Sequence, residues 1–179
     1  LLDGDNLPVR DPSFLFHEPG FRATGALFWP DYWKIHPENP FLGLFDGEQR
    51  QEAVDRWEQE SGQILIDRSR QSVQVAIQAV LLLNAAFFMR YINGDKDTFR
   101  FGWMLANSPV TWIEHWPIPV GTRKERHAQG PGFCSHTMGQ RDPSGRLQFL
   151  HHNALKDITT LPLGEAWKYR SEEHTSELQ

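Results

Sequence analysis

Residues 2–16 read LDGDNLPVRDPSFLF, and two acids in this segment, Asp3 and Asp5, stand on either side of Gly4. The segment begins as the end of a predicted strand, and side chains two positions apart on a strand point to the same side. Both carboxylates could therefore face one divalent cation, which is usually held by one or two carboxylates plus substrate phosphates. A nucleoside diphosphate is the natural partner of such a pair. Two acids around a glycine also occur in ordinary turns, so the pair alone leaves both interpretations open.

Composition limits the function classes. The chain has 179 residues, of which 39% are hydrophobic, enough for one domain with a core. Its formal charge of −5 is spread over mixed acids and bases, so we expect no nucleic-acid partner. Seven Trp and twelve Phe could fill a core or form platforms for sugar rings, and core packing is expected for Trp29 and Trp103. Cys134 has no activating group at a fixed spacing and is typical of a small buried residue.

Both ends of the chain look unnatural. It opens without an initiator Met or a signal peptide, as though cut within a buried strand. The last ten residues, RSEEHTSELQ at 170–179, are identified as the translation of a common sequencing adapter. We therefore expect residues 1–169 to form one domain fragment and 170–179 to be a disordered, non-native tail.

Hydrophobic patterning predicts alternating short strands and helices. Strands are predicted over 25–30 and 63–67, and a solvated helix over the acidic residues 48–60. Residues 72–91 carry apolar residues at helical spacing, and polar residues interrupt a run already shorter than the about 20 needed to cross a bilayer, so a buried helix is predicted. A further helix is predicted over 95–107. Strands at 133–140 and 146–152 flank Asp-Pro-Ser-Gly at 142–145, which predicts a hairpin around a type I turn.

Five blocks in a fixed order carry a resemblance to a known family. They are LDGDNLPVRDPSFLF (2–16), TGALFWPDYW (24–33), ESGQILIDR (60–68), GDKDTFRFGW (94–103) and FCSHTMGQRDPSGRLQFLHHNALK (133–156). In these blocks the chain resembles the fungal-type Golgi α-mannosyltransferases, which build the α-1,2 and α-1,3 branches of mannan. The resemblance implies an α/β fold, the C-terminal portion of a glycosyltransferase A fold with a mixed sheet and flanking helices. The N-terminal nucleotide-binding strands of that fold are expected to be missing.

The same resemblance implies an activity and a location. The activity is metal-dependent, retaining transfer of mannose from GDP-mannose to a glycan or glycoprotein acceptor, in protein glycosylation or cell-wall mannan synthesis. Mn²⁺ or Mg²⁺ is the implied cofactor. The implied location is the Golgi lumen, as part of a single-pass type II membrane protein whose N-terminal anchor is not in this chain. The fragment alone is expected to be inactive.

A broader resemblance to glycogenin-like retaining transferases implies roles for single residues. The implied metal ligands are Asp3, Asp5 and His151; the implied cofactor-binding residues are Asp3, Asp5, Gln63, Lys96 and Lys156; the implied catalytic residues are Glu60, Asp95 and Asp97. Glu60 stands where the wider pattern has Asn, which leaves its role open.

Each of these positions also has a structural interpretation. Glu60 could end a solvated helix, and Asp95 or Asp97 could cap the helix that follows. His151 and His152 are adjacent and face opposite sides of a strand, so at most one joins the acids on one ion, and His151 is preferred.

Two other functions compete with sugar transfer. A metal-dependent phosphohydrolase with an aspartate nucleophile also begins from an apolar strand that ends in two spaced acids. That class needs a small hydroxyl residue soon afterwards, whereas this chain continues Asn6-Leu7-Pro8. A non-catalytic glycan-binding module is favoured by the aromatic content.

Overall fold

A computed structural model describes residues 1–127, 130–152 and 169–170, which form two compact units. The first unit contains residues 1–3 and 13–114, and the second contains residues 4–12 with the described residues from 115 onward. The elements in chain order are β1 (Asn6–Pro8), α1 (Pro19–Thr24), β2 (Ala26–Pro30), α2 (Gly47–Asp55), β3 (Gln59–Ile66), α3 (Ser72–Leu83), α4 (Ala85–Phe88), α5 (Lys96–Leu105), β4 (Thr111–Trp112), β5 (Ile118–His127), β6 (Gly130–Arg141), β7 (Leu147–His151) and β8 (Tyr169–Arg170). Short 3-10 helices lie at Ser13–His17 and Pro40–Leu44.

The first unit is built on a three-stranded sheet in the order β3-β2-β4. β3 is antiparallel to β2 and β4 is parallel to it, so the sheet is mixed, and helices accompany it. The predicted α/β class with a mixed sheet and flanking helices is therefore confirmed. The assignment to the glycosyltransferase A fold stays a prediction.

β2 is the central strand of this sheet, and all five of its residues are buried. The Phe28 ring meets the indole of Trp103 edge-on at a centroid distance of 5.1 Å, and both side chains are fully buried. The strand predicted over 25–30 is confirmed, as is core packing for Trp29 and Trp103. A fully buried apolar run bounded by glycine and proline is a strong local signal for such a strand.

The helix predicted over 48–60 was too long. α2 ends at Asp55, and the chain then enters β3 at Gln59, four residues before the predicted strand start. Gln59 and Glu60 pair with Pro30 and Trp29 of β2, and both are buried. Pairing with the central strand outweighs the helical propensity of this polar segment.

A helix forms in the segment predicted over 72–91, but it breaks at Asn84. The face that it buries is mostly polar, and several of the apolar residues that predicted the helix are exposed. Its buried residues are Gln74, Gln78 and Leu81, while Val73, Val80, Leu83 and Phe87 are exposed. α3 packs on α5 where Gly102 leaves room, since a Cβ there would lie 3.0 Å from the Gln74 carbonyl. The Gln74 amide donates to Ser108 Oγ at 2.7 Å. Within the described residues, none of the helices is both long enough and apolar enough to cross a membrane.

The second unit is a five-stranded antiparallel sheet in the order β1-β7-β6-β5-β8. β6 and β7 form the predicted hairpin, with Arg141 opposite Leu147. The turn is closed by a hydrogen bond from the Gly145 N–H to the Asp142 carbonyl, at 2.9 Å. Gly145 has φ of 82°, a conformation that favours glycine. Arg170, the first residue of the predicted tail, lies in β8, and residues 171–179 lie outside the described part.

The fully buried carboxylate of Asp142 holds the hairpin turn to Arg10, two residues after β1. It accepts hydrogen bonds from Arg10, Ser144 and Arg146, with ion-pair distances of 3.0 Å to each arginine. Burial opposes ionisation, but the hydrogen bonds from Ser144, Arg146 and Arg10 outweigh it and lower the pKa of Asp142. The charged form is therefore the one that stabilises the fold.

Replacing Asp142 with asparagine is expected to lower the free energy of unfolding by about 2–3 kcal/mol, the usual size of a lost charged hydrogen-bonding group. Because the pKa is lowered in the folded state, this stabilisation is present above the unfolded pKa near 3.8 and is lost as pH falls below it. Urea unfolding at pH 7 and pH 3 measures both effects. The exposed Glu38→Gln serves as control, and an equal loss for both variants at pH 7 would contradict the role of Asp142.

Candidate metal centre

Asp5 and His151 come together in the second unit, although 146 positions separate them along the chain. Asp5 directly precedes β1, and β1 pairs with β7 so that Asn6 lies opposite His151. The Asp5 carbonyl also accepts a hydrogen bond from the His152 N–H at 2.9 Å. These backbone contacts place Asp5 Oδ1 3.4 Å from His151 Nε2.

Asp3 lies in the first unit and is held by β3. Its N–H donates to the Gly62 carbonyl at 2.9 Å, and Leu2 forms a bridge with Gln63. The chain then turns at Gly4 and Asp5 before β1 begins. The expectation that both acids share one strand face is therefore wrong, because a turn separates them. They remain two residues apart on one short segment.

The donor set fits a divalent cation. Within the second unit, Asp5 offers a carboxylate oxygen and His151 an imidazole nitrogen. The 3.4 Å between Asp5 Oδ1 and His151 Nε2 is less than twice a usual metal–ligand bond of about 2.1 Å, so both atoms could bind one ion where they stand. Mg²⁺ prefers oxygen ligands, so the imidazole nitrogen favours a transition metal over Mg²⁺.

Glu60 and Gln63 lie on β3, the strand that holds Asp3. Glu60 is 5% exposed, and its Oε1 accepts a hydrogen bond from the Gly62 N–H at 2.5 Å. Gln63 is also buried. The alternative in which Glu60 ends a solvated helix is wrong, because the residue lies within a buried strand.

Lys96 and Asp97 belong to a buried charge cluster of the first unit. Lys96 Nζ lies 3.0 Å from Asp31 and 3.1 Å from Asp97, and it also pairs with Glu58. Burial alone would lower the pKa of Lys96, but Asp97, Asp31 and Glu58 outweigh it and raise that pKa. Burial raises the pKa of Asp31, and this effect is larger than the lowering of that pKa by Lys96. Lys96 is therefore charged and fully engaged with carboxylates.

Asp97 is shared between two cations and a backbone group. Its Oδ1 lies 2.6 Å from Arg100 Nε and accepts from the Gln59 N–H at 3.1 Å. Asp95 occupies the N-cap position of α5 without a side-chain cap hydrogen bond, and it is exposed. The capping alternative is thus right for the position of Asp95, although its side chain makes no cap hydrogen bond, and wrong for Asp97, which lies within the first turn of α5.

His152 and Lys156 are the two remaining candidate residues. Burial and the neighbouring His151 lower the pKa of His152, while Asp5 raises it, and the net direction is downward. Lys156 lies outside the described residues.

Sequence reasoning missed Asp31 and Glu58, the partners of Lys96. Asp31 directly follows the buried strand β2 and is itself buried. An acid immediately after a buried apolar strand is a signal that could have identified it, whereas Glu58 carries no such signal.

A family model described as "Mannosyltransferase putative" matches residues 1–58 and 47–142, more than half of the chain. Alpha-1,2-mannosyltransferase MNN21 of Candida albicans is 24% identical over 194 residues, covering 84% of this chain and 29% of that protein. Alpha-1,2-mannosyltransferase MNN23 of the same organism is 23% identical, covering 80% of this chain and 30% of that protein. Alpha-1,2-mannosyltransferase MNN2 of Saccharomyces cerevisiae is 41% identical over 39 residues, 21% of this chain and 6% of that protein. The chain spans less than a third of the length of these relatives.

Proposed function

The chain belongs to the mannosyltransferase family whose model it matches, and from this we propose that the protein carrying it transfers mannose from GDP-mannose to a glycan acceptor. The reaction is metal-dependent and retains the configuration at the anomeric carbon. The Golgi lumen is its proposed location, and a glycan or glycoprotein is its acceptor. The relatives named alpha-1,2-mannosyltransferases support mannose as the transferred sugar.

The observation that carries the metal dependence is the pairing of Asp5 with His151 at 3.4 Å. Asp3, two residues earlier, completes the proposed ligand set. When bound, the cation would neutralise the negative charge that develops on the leaving diphosphate. The backbone contacts of β1 with β7 hold Asp5 and His151 in place before any ligand arrives, which reduces the cost of organising the site.

The remaining residues divide by their contacts. We assign the orientation of the acceptor hydroxyl to Glu60 or Asp95, because the oxygens of Asp97 already serve Lys96, Arg100 and the Gln59 N–H. Gln63 lies beside Leu2 and is assigned to cofactor binding together with Asp3. Lys96 was also predicted to bind the cofactor. Because it already pairs with three carboxylates, we assign it instead the structural role of holding Asp31 and Asp97 together.

Incubation with nucleotide sugars and Mn²⁺ tests the function. The assay uses the chain within a protein of the relatives' full length, with GDP-mannose, other nucleotide sugars and a simple phosphoester as substrates. Release of GDP with transfer to a mannoside supports the proposal. Phosphate release from the phosphoester alone would support the phosphohydrolase, and mannoside binding without turnover would support the glycan-binding module.

Direct Mn²⁺ binding tests the ligand set on the chain itself. We expect His151→Ala to weaken Mn²⁺ binding by at least about 100-fold. Replacing a residue that only hydrogen-bonds to a metal ligand already lowers metal affinity about 10- to 100-fold. Titration calorimetry measures the affinity. The exposed His36→Ala is the matched control, and equal affinity in the two variants would remove His151 from the site.

A further inference from the structure

A cavity of about 410 Å³ lies within the first unit, among α2, α5 and β4. This volume is within the range of small-molecule pockets. Its walls combine charged, polar and apolar groups, including Arg56, Arg100, Trp103, Met104 and Trp112. The proposed function assigns no task to any of them.

Three buried polar atoms of residues that line this cavity share one property. Among the described residues, Arg56 Nε, Arg100 Nη2 and Trp103 Nε1 have no hydrogen-bond partner, and each is an N–H donor. The side chain of Arg100 is 2% exposed and that of Trp103 is fully buried. Buried polar groups in folded proteins nearly always have a partner. A group that only accepts hydrogen bonds would satisfy all three donors.

Charge favours the same kind of ligand. Arg56 and Arg100 bring two positive charges to the cavity, against the single carboxylate of Glu52. Arg100 is partly neutralised by Asp97 at 2.6 Å, and Arg56 by two exposed carboxylates that do not line the floor, Glu114 at 3.5 Å and Glu52 at 3.9 Å. Arg56 is also stacked over the Trp112 ring, 5.0 Å from its centroid, which holds the guanidinium in the cavity wall.

We propose that this cavity binds a small organic molecule through an oxyanion, a carboxylate or a phosphate group. Arg100 Nη2 and Trp103 Nε1 donate to the oxyanion from the cavity floor, and Arg56 donates from the rim. The apolar walls, Met104 and Trp112, contact the rest of the molecule. The site stands independently of the proposed sugar transfer.

Titration calorimetry of the metal-free, EDTA-treated chain tests the site. The probes are inorganic phosphate, acetate and uncharged methyl α-mannoside. Binding of phosphate or acetate is expected, and the comparison of the two identifies the preferred oxyanion. Binding of the mannoside alone, or of none of the three, overturns the proposal. Because no metal is present, failure of the metal centre does not affect the result.

Two variants locate the binding. Trp103→Phe keeps the ring and removes the N–H, and Arg56→Gln removes one charge from a side chain that is 34% exposed. Each is expected to weaken binding of the preferred anion by about tenfold or more, as for a lost charged hydrogen bond. Arg50→Gln, which alters an exposed arginine on α2, the helix that ends just before Arg56, is expected to bind normally. If Trp103→Phe fails to fold, Arg56→Gln still decides, since unchanged binding in it overturns the proposal.

Discussion

Replacing Asp5 with alanine is expected to reduce the proposed Mn²⁺-dependent mannose transfer about a thousandfold, since a metal ligand supports several kcal/mol of transition-state stabilisation. Asp5 lies 3.4 Å from His151 in the described structure, so its removal eliminates one of the proposed ligands and leaves the imidazole without its carboxylate neighbour. Asp3→Ala is expected to have the same effect. Initial rates with GDP-mannose at several Mn²⁺ concentrations measure the loss.

The control for this result is Asp55→Asn, which alters an exposed carboxylate on α2. Circular dichroism must show that all variants keep their secondary structure. Unchanged transfer in either Asp3→Ala or Asp5→Ala, with its dependence on Mn²⁺ preserved, would falsify the metal assignment. A loss that higher Mn²⁺ concentration restores would support it.

Replacing Lys96 with methionine is expected to lower the free energy of unfolding by about 3–5 kcal/mol at pH 7, the usual cost of removing one partner from a buried ion pair. Three buried or half-buried carboxylates, those of Asp31, Glu58 and Asp97, would lose their shared cation. Methionine keeps most of the aliphatic volume, so the effect reports charge more than packing. Urea unfolding monitored by tryptophan fluorescence measures it.

The pH dependence distinguishes this charge effect from a cavity. The pKa of Asp31 is already raised by burial, and loss of Lys96 raises it further. The folded variant then binds more protons than the unfolded chain above pH 4, so its stability falls as pH rises. The deficit relative to the unmodified chain should be smaller at pH 4 than at pH 7. A deficit that is equal at both pH values, or a similar one in the exposed Lys34→Met, would contradict the cluster's role.

Local signals made part of the fold predictable. The buried strand β2 is an uninterrupted apolar run, and the hairpin turn carries proline and glycine at positions that a type I turn favours. The exposed face of α3 was not predictable in this way. Its buried glutamines depend on Gly102 and Ser108. Ser108 lies 34 residues beyond Gln74 in the sequence, so this contact exists only in the folded unit.

The residue types of the candidate site were predictable from the sequence, but the contacts that position them were not. Acids around Gly4 and a distant histidine followed from residue type and from the family resemblance. The turn at Gly4 and Asp5 and the ion pairs of Lys96 did not, because they depend on strand pairings between segments far apart in the chain. Short-range patterns carry no information about such pairings.

The turn at residues 142–145 fixes more than the hairpin. Met138 lies opposite His151, and this pairing of β6 with β7 depends on the number of residues in the loop between the two strands. A shift of one residue in a strand exchanges the side chains on its two faces. Lengthening the loop by a single residue would therefore exchange the faces that His151 and His152 occupy relative to β6. The loop thus sets which of the two histidines shares a face of the sheet with Met138.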